Sequence, residues 1–134
     1  GITWSHCAGR GSREGSKLRR KGWWMTCDID GLIRRIVEFR DKRNWAQFHN
    51  PKDLALGLSI EAAELNELFL WKKPEEADPA RVREELADVL IFVLMLLEKY
   101  GLNLEEIGRE KLAANEEKYP ADKARNSAAK YTDL

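Results

Sequence analysis

Four carboxylates stand in stretches of sequence that otherwise favour burial. Glu61 and Glu64, and twenty residues later Glu85 and Asp88, form two pairs with i,i+3 spacing. On a helix, residues three apart project from one face. Leu54, Leu58, Leu65, Leu68 and Phe69 make one apolar stripe on a helical wheel, with Glu61 near its middle and Glu64 at its edge. Phe92 falls between Glu85 and Asp88 on the second wheel. A carboxylate inside an apolar face can protonate, its pKa rising by up to about 3–5 units when fully buried. It can also pair with Arg or Lys, or bind a cation. Four that converge repel one another, and a multivalent cation resolves the repulsion. An all-oxygen ligand set suits magnesium, manganese or calcium rather than zinc. One such pair alone usually marks a solvated face, but the apolar surroundings and the second pair argue against that here. A di-iron carboxylate core needs Glu-x-x-His motifs, and neither His6 nor His49 sits in one.

Positioning these groups requires helices, and the sequence punctuates into four. Ile29, Leu32, Ile33, Ile36 and Val37 recur at helical spacing behind Asp28 or Asp30, which predicts a first helix reaching about Asn44. Asn50 as N-cap with Pro51 at the first helical position and Asp53 in the first turn opens a second, expected to continue to about Trp71. Asp78 and Pro79 repeat the device, and Gly101 ends the third helix after Tyr100. Asn103, with Glu106 placed for a capping box, starts a fourth that runs to about Tyr119 before Pro120. No segment alternates long enough to read as a strand. Short connections predict an antiparallel all-α bundle. Leu86 to Leu97 carries a single charge, Asp88, which implies burial on most sides and, in so small a chain, packing against a second copy. The uninterrupted apolar run Val89 to Leu97 is nine residues, too short to span a bilayer.

The 134 residues suffice for one domain with a real core, and 43% hydrophobic content excludes a disordered chain. The formal net charge of zero conceals two unlike parts. Residues 1–24 carry Arg10, Arg13, Lys17, Arg19, Arg20 and Lys21 against Glu14 alone, a net +5, while residues 25–134 hold 17 basic and 22 acidic groups, a net −5. Residues 1–24 also hold five of the nine glycines. They read as a flexible basic leader, of upstream or expression-derived origin with Met25 as the natural start, ahead of a folded domain at 25–134. Trp23 and Trp24 beside Arg19, Arg20 and Lys21 alternatively suit a nucleic-acid arm, on short evidence. Cys7 and Cys27 lack metal-ligand spacing and make no disulfide framework, which points to a reducing, cytoplasmic setting.

The spacing Glu61-x-x-Glu64 followed by Glu85-x-x-Asp88 resembles that of the MazG-like nucleoside triphosphate pyrophosphohydrolases. The flanking text is similar to their dCTP pyrophosphatase branch: Trp45-Ala46-Gln47-Phe48-His49 with Pro51-Lys52, the segment Glu61 to Trp71, Glu84 to Ile91, and Asn115 through Lys118-Tyr119-Pro120 to Lys130–Leu134. The resemblance covers roughly Leu32 to Leu134. It implies a four-helix bundle completed by homodimerisation, or a dimer of dimers. It implies magnesium-dependent cleavage of a (d)NTP, dCTP or a related dNTP, to the monophosphate and pyrophosphate, in clearing the nucleotide pool; manganese is a possible substitute. Glu61, Glu64, Glu85 and Asp88 would hold the metal, Trp45, His49 and Trp71 would contact the base, and Lys111, Asn115, Lys118 and Tyr119 would lie near the phosphates or sugar. Two departures bear on base and sugar preference: Asp53 stands where relatives usually carry Asn, and Phe92 where they carry Tyr.

The chemistry suits these residue types. Phosphoanhydride cleavage asks for charge neutralisation and an oriented water more than a covalent nucleophile, and Glu61 or Glu64 is the expected water-activating carboxylate. The rival reading is a non-enzymatic helical dimerisation module that presents its basic arm to nucleic acid.

Overall fold

A computed structural model describes residues 28–134, and the basic leader with Cys7, Cys27, Trp23, Trp24 and Met25 lies outside the described residues. Four main helices carry the fold: α1 (Ile29–Asp41), α2 (Pro51–Glu67), α3 (Pro79–Tyr100) and α4 (Leu104–Lys118), followed by the short α5 (Ala121–Ala124). Single 3₁₀ turns occupy Trp45–Phe48, Pro74–Glu76 and Tyr131–Asp133. No strand occurs among the described residues.

Each helix starts where its cap residue sits. The Asp28 carboxylate accepts from the Gly31 N–H at 2.8 Å, Asn50 Oδ1 from Asp53 N–H at 2.9 Å, Asp78 from Ala80 N–H at 3.0 Å, and Asn103 Oδ1 from Glu106 N–H at 3.0 Å. These bonds satisfy amide groups that a helix start otherwise leaves unpaired. At the far end of α3, Gly101 adopts φ 61° and Leu102 N–H closes onto the Leu97 carbonyl at 2.9 Å, a Schellman stop that a side chain at position 101 would strain.

Two helix ends fall short of expectation. α1 stops at Asp41, not Asn44, because Asn44 turns left-handed at φ 52° and Trp45–Phe48 winds separately. α2 stops at Glu67, not Trp71. The backbone after it tightens to i→i−3 bonds, with Leu68, Phe69 and Leu70 donating to Leu65, Asn66 and Glu67, and Trp71 then turns left-handed at φ 60°. Phe69, assigned to the buried stripe by its spacing, therefore leaves the helical register and is 37% exposed.

α2 packs closely along α3, and α1 packs on α3 beside it. Gly57 lies against the Phe92 ring, while Glu64 lies beside Glu85. Rising numbers on α2 thus meet falling numbers on α3, and the two helices are antiparallel as expected. Leu54, Phe92 and Met95 centre the core, with Ile36 from α1, Leu58, Ile91 and Leu96 against them. Arg40 of α1 closes one end, its guanidinium donating to Glu98 at 3.1 Å and to Asp41 at 2.9 Å.

α4 makes only marginal contact with the other main helices and buries no residue fully. Much apolar surface stays open: Leu56 and Ile60 on α2, Leu86 and Leu90 on α3, and Leu112 on α4 are each between 43% and 59% exposed. No helix is long and apolar enough to cross a membrane among the described residues.

Candidate metal and nucleotide site

The antiparallel pairing of α2 and α3 brings the four carboxylates together. Glu61 sits one turn beyond Gly57, on the buried side of α2, and is only 6% exposed. Gly57 makes this approach possible, since a Cβ there would stand 2.4 Å from the Phe92 ring. One oxygen each of Glu61, Glu64 and Glu85 lies within 4.8 Å of the others. Asp88 lies outside that triad, one turn along α3 from Glu85, within electrostatic reach of Glu61 and Glu64.

The electrostatics are those of anions held together without enough cations. Burial, and then Glu64, Asp88 and Glu85, push the Glu61 carboxyl up to about 7. Burial is the first cause for Glu85 too, followed by Glu64 and Asp88, with Arg81 pulling the other way. Asp88 is raised by burial, Glu64 and Glu84. Glu61 Oε2 and Glu85 Oε2 are buried with no hydrogen-bond partner. Buried carboxylate oxygens without donors are costly. A divalent cation is the ligand that would satisfy them, and the all-oxygen donor set fits magnesium or manganese.

The aromatic residues named for the base do not form one pocket. Trp45 is half-buried and meets Phe39 edge-on at 5.8 Å and His49 at 6.4 Å, with the Arg43 guanidinium 5.9 Å above its ring. His49 is 7% exposed, and its Nδ1 is buried without a partner. Burial, with Arg40 and Lys99 nearby, lowers its pKa. Trp71 stands apart in the turn after α2, 95% exposed, at the rim of a hollow of about 430 Å³ lined by Ala63, Asn66, Glu67, Phe69 and Leu70.

Lys111, Asn115, Lys118 and Tyr119 lie on α4 and at its end, away from the α2–α3 pair. Lys118 and Tyr119 form a cluster with Tyr131: the Lys118 ammonium is 5.3 Å above the Tyr131 ring, and the two tyrosines meet edge-on at 6.0 Å. Within one chain the fold therefore unites the carboxylates but not the residues expected around the nucleotide.

Sequence spacing left two groups out. The Arg40–Glu98 pair behind His49 joins residues 58 apart, which no local pattern reveals. Lys72 and Arg81 share the wall of a cavity with Glu64 and Glu85. The i,i+4 spacing of Arg81 and Glu85 was the available signal for the second.

Comparison with known proteins bears on the family and the fold. Residues 56–134, which contain all four carboxylates, match the model of the MazG-like family. The chain is 41% identical over 111 residues to dCTP pyrophosphatase 1 of Mus musculus and of Homo sapiens, a match covering 76% of this chain and 65% of each relative. The chain thus spans just under two thirds of the length of these curated relatives. The crystal structure of a pyrophosphatase from Archaeoglobus fulgidus is 40% identical and superposes with a TM-score of 0.66, covering 70% of this chain and 94% of that one.

Proposed function

The chain belongs to the MazG-like family, and from that premise we propose that it is a nucleoside triphosphate pyrophosphohydrolase that uses magnesium to cleave a dNTP, dCTP or a close relative, to the monophosphate and pyrophosphate. The observation that carries the proposal is the triad of Glu61, Glu64 and Glu85 drawn together by α2 and α3, with Asp88 within electrostatic reach and two buried oxygens left without a donor. The names of the relatives, dCTP pyrophosphatase 1, support the choice of nucleotide.

Glu61, Glu64, Glu85 and Asp88 would hold the magnesium, and manganese could take its place. When bound, the metal neutralises phosphate charge and lowers the pKa of water. The chain supplies the rest. Glu61 or Glu64 accepts the proton of the attacking water. The water oxygen bonds to one of the two phosphorus atoms of the α–β anhydride, the bond from that phosphorus to the bridging oxygen breaks, and the electron pair stays with the other product, pyrophosphate or the monophosphate. Leu58, one turn before Glu61, and Phe92, one turn after Asp88, pack in the apolar core. Trp45, His49 and Trp71 serve base recognition, and Lys111, Asn115, Lys118 and Tyr119 the phosphates or sugar.

Self-association belongs to the same proposal. Leu56 with Ile60 and Leu86 with Leu90 form exposed i,i+4 stripes on the two helices that carry the site, and surfaces of that kind mark interfaces. A homodimer or homotetramer covers them and brings residues of α4 toward a carboxylate cluster. A cytoplasmic role in clearing the nucleotide pool completes the reading. The direct test is incubation with each dNTP and modified cytidine triphosphates, with magnesium and with EDTA. Pyrophosphate release from one or a few of them, abolished by EDTA, is expected; no release from any would refute the proposal.

A further inference from the structure

Beside the carboxylates opens a cavity of about 400 Å³ lined by Glu64, Glu67, Leu68, Lys72, Arg81 and Glu85. Its walls combine two of the cation-binding carboxylates with two cations. Arg81 projects from the first turns of α3, one turn before Glu85; Lys72 comes from the turn that ends α2, next to the left-handed Trp71. Neither cation enters a salt bridge among the described residues, where the ion pairs are Arg40 with Asp41 and Glu98, and Arg109 with Glu105. Both side chains are exposed, so neither is held there by packing.

Cations that line an acidic cavity without a closed salt bridge are open to an anion that the acidic side does not repel. A polyphosphate bridged to the carboxylates through a divalent ion is such an anion. One metal ion offsets only part of its charge, and the remainder needs further donors. Arg offers a bidentate fork for phosphate oxygens, and Lys a compact charge that can follow them.

We propose that Lys72 and Arg81 form the subsite for the diphosphate that leaves as pyrophosphate, beside Glu64 and Glu85 in this cavity. The assignment rests on the pyrophosphohydrolase reading. It puts the phosphate-holding cations on α3 and on the turn that follows α2, beside the metal ligands, ahead of Lys111 and Lys118 on the distant α4.

The test is calorimetric titration of inorganic pyrophosphate into the full-length, magnesium-loaded protein, wild type against Lys72→Ala, Arg81→Ala and Arg81→Lys, with manganese affinity measured for each. Each alanine variant should bind pyrophosphate roughly tenfold more weakly, about the worth of one charge-assisted contact. Arg81→Lys should recover most of the loss, and manganese should bind no more weakly than to wild type. KM for the turned-over dNTP should rise in step, with kcat less affected. Pyrophosphate affinity equal to wild type in both alanine variants, or no pyrophosphate binding by the wild type, would overturn the subsite. If the wild type binds pyrophosphate through these residues but hydrolyses no dNTP, the subsite stands and the catalytic reading fails.

Discussion

Replacing Glu61 with Gln should stabilise the metal-free protein at neutral pH, although it removes a group central to the proposed activity. The Glu61 carboxyl is raised from 4.5 to about 7 by burial and by three neighbouring acids. The folded state therefore holds a proton that the unfolded chain releases, and stability contributed by this group is fully present below pH 4.5 and lost as pH rises through 7. At 1.36 kcal/mol per pKa unit, the loss is about 3 kcal/mol by pH 8, a large share of an ordinary folding free energy. Gln is isosteric and never ionises, so the variant escapes the penalty. Urea denaturation in EDTA at fixed protein concentration reads the difference directly. The two proteins should be nearly equal at pH 4.5, and Glu61→Gln should become more stable by up to about 3 kcal/mol by pH 8. Magnesium should reverse the order, since it binds the folded wild type and relieves the same repulsion. Parallel stability curves for the two proteins from pH 4.5 to 8 would refute the claim that Glu61 is a strained, buried acid.

Gly57→Ala should lower stability by about 1–3 kcal/mol in thermal or urea unfolding, because the new methyl would collide with the Phe92 ring at 2.4 Å; adding Phe92→Leu should recover part of it. Trp71→Ala should leave stability within about 0.5 kcal/mol, as the ring is 95% exposed, yet raise KM for the nucleotide. An unchanged KM would remove Trp71 from the binding residues. Arg40→Ala should cost about 1–3 kcal/mol by losing its bonds to Glu98 and Asp41, and should raise the His49 pKa as seen by proton NMR.

Local chemistry made much of the fold legible. Asn50-Pro51, Asp78-Pro79 and Asn103 are self-contained start signals, and each cap forms its bond. Gly101 is as clear a stop. Where no glycine or proline marks the end, as after Glu67, the turn was invisible, because its left-handed residue is a tryptophan. The two carboxylate pairs were readable since helix period alone puts each on one face. Their convergence needed only that α2 and α3 be antiparallel neighbours. The Arg40–Glu98 pair, the burial of His49, and the place of Lys72 and Arg81 beside Glu85 depend on tertiary approach, which spacing along the chain does not encode.

The central claim is that the α2–α3 carboxylate cluster cleaves the α–β anhydride of a nucleoside triphosphate. Its most direct test is a phosphorus NMR time course of dCTP with magnesium and the wild-type protein, beside Glu61→Gln. The account predicts equal amounts of dCMP and pyrophosphate from the wild type and a loss of at least about a hundredfold in rate in the variant, the lower range for removing a general base. Inorganic phosphate and dCDP as products, or equal turnover by the two proteins, would contradict it.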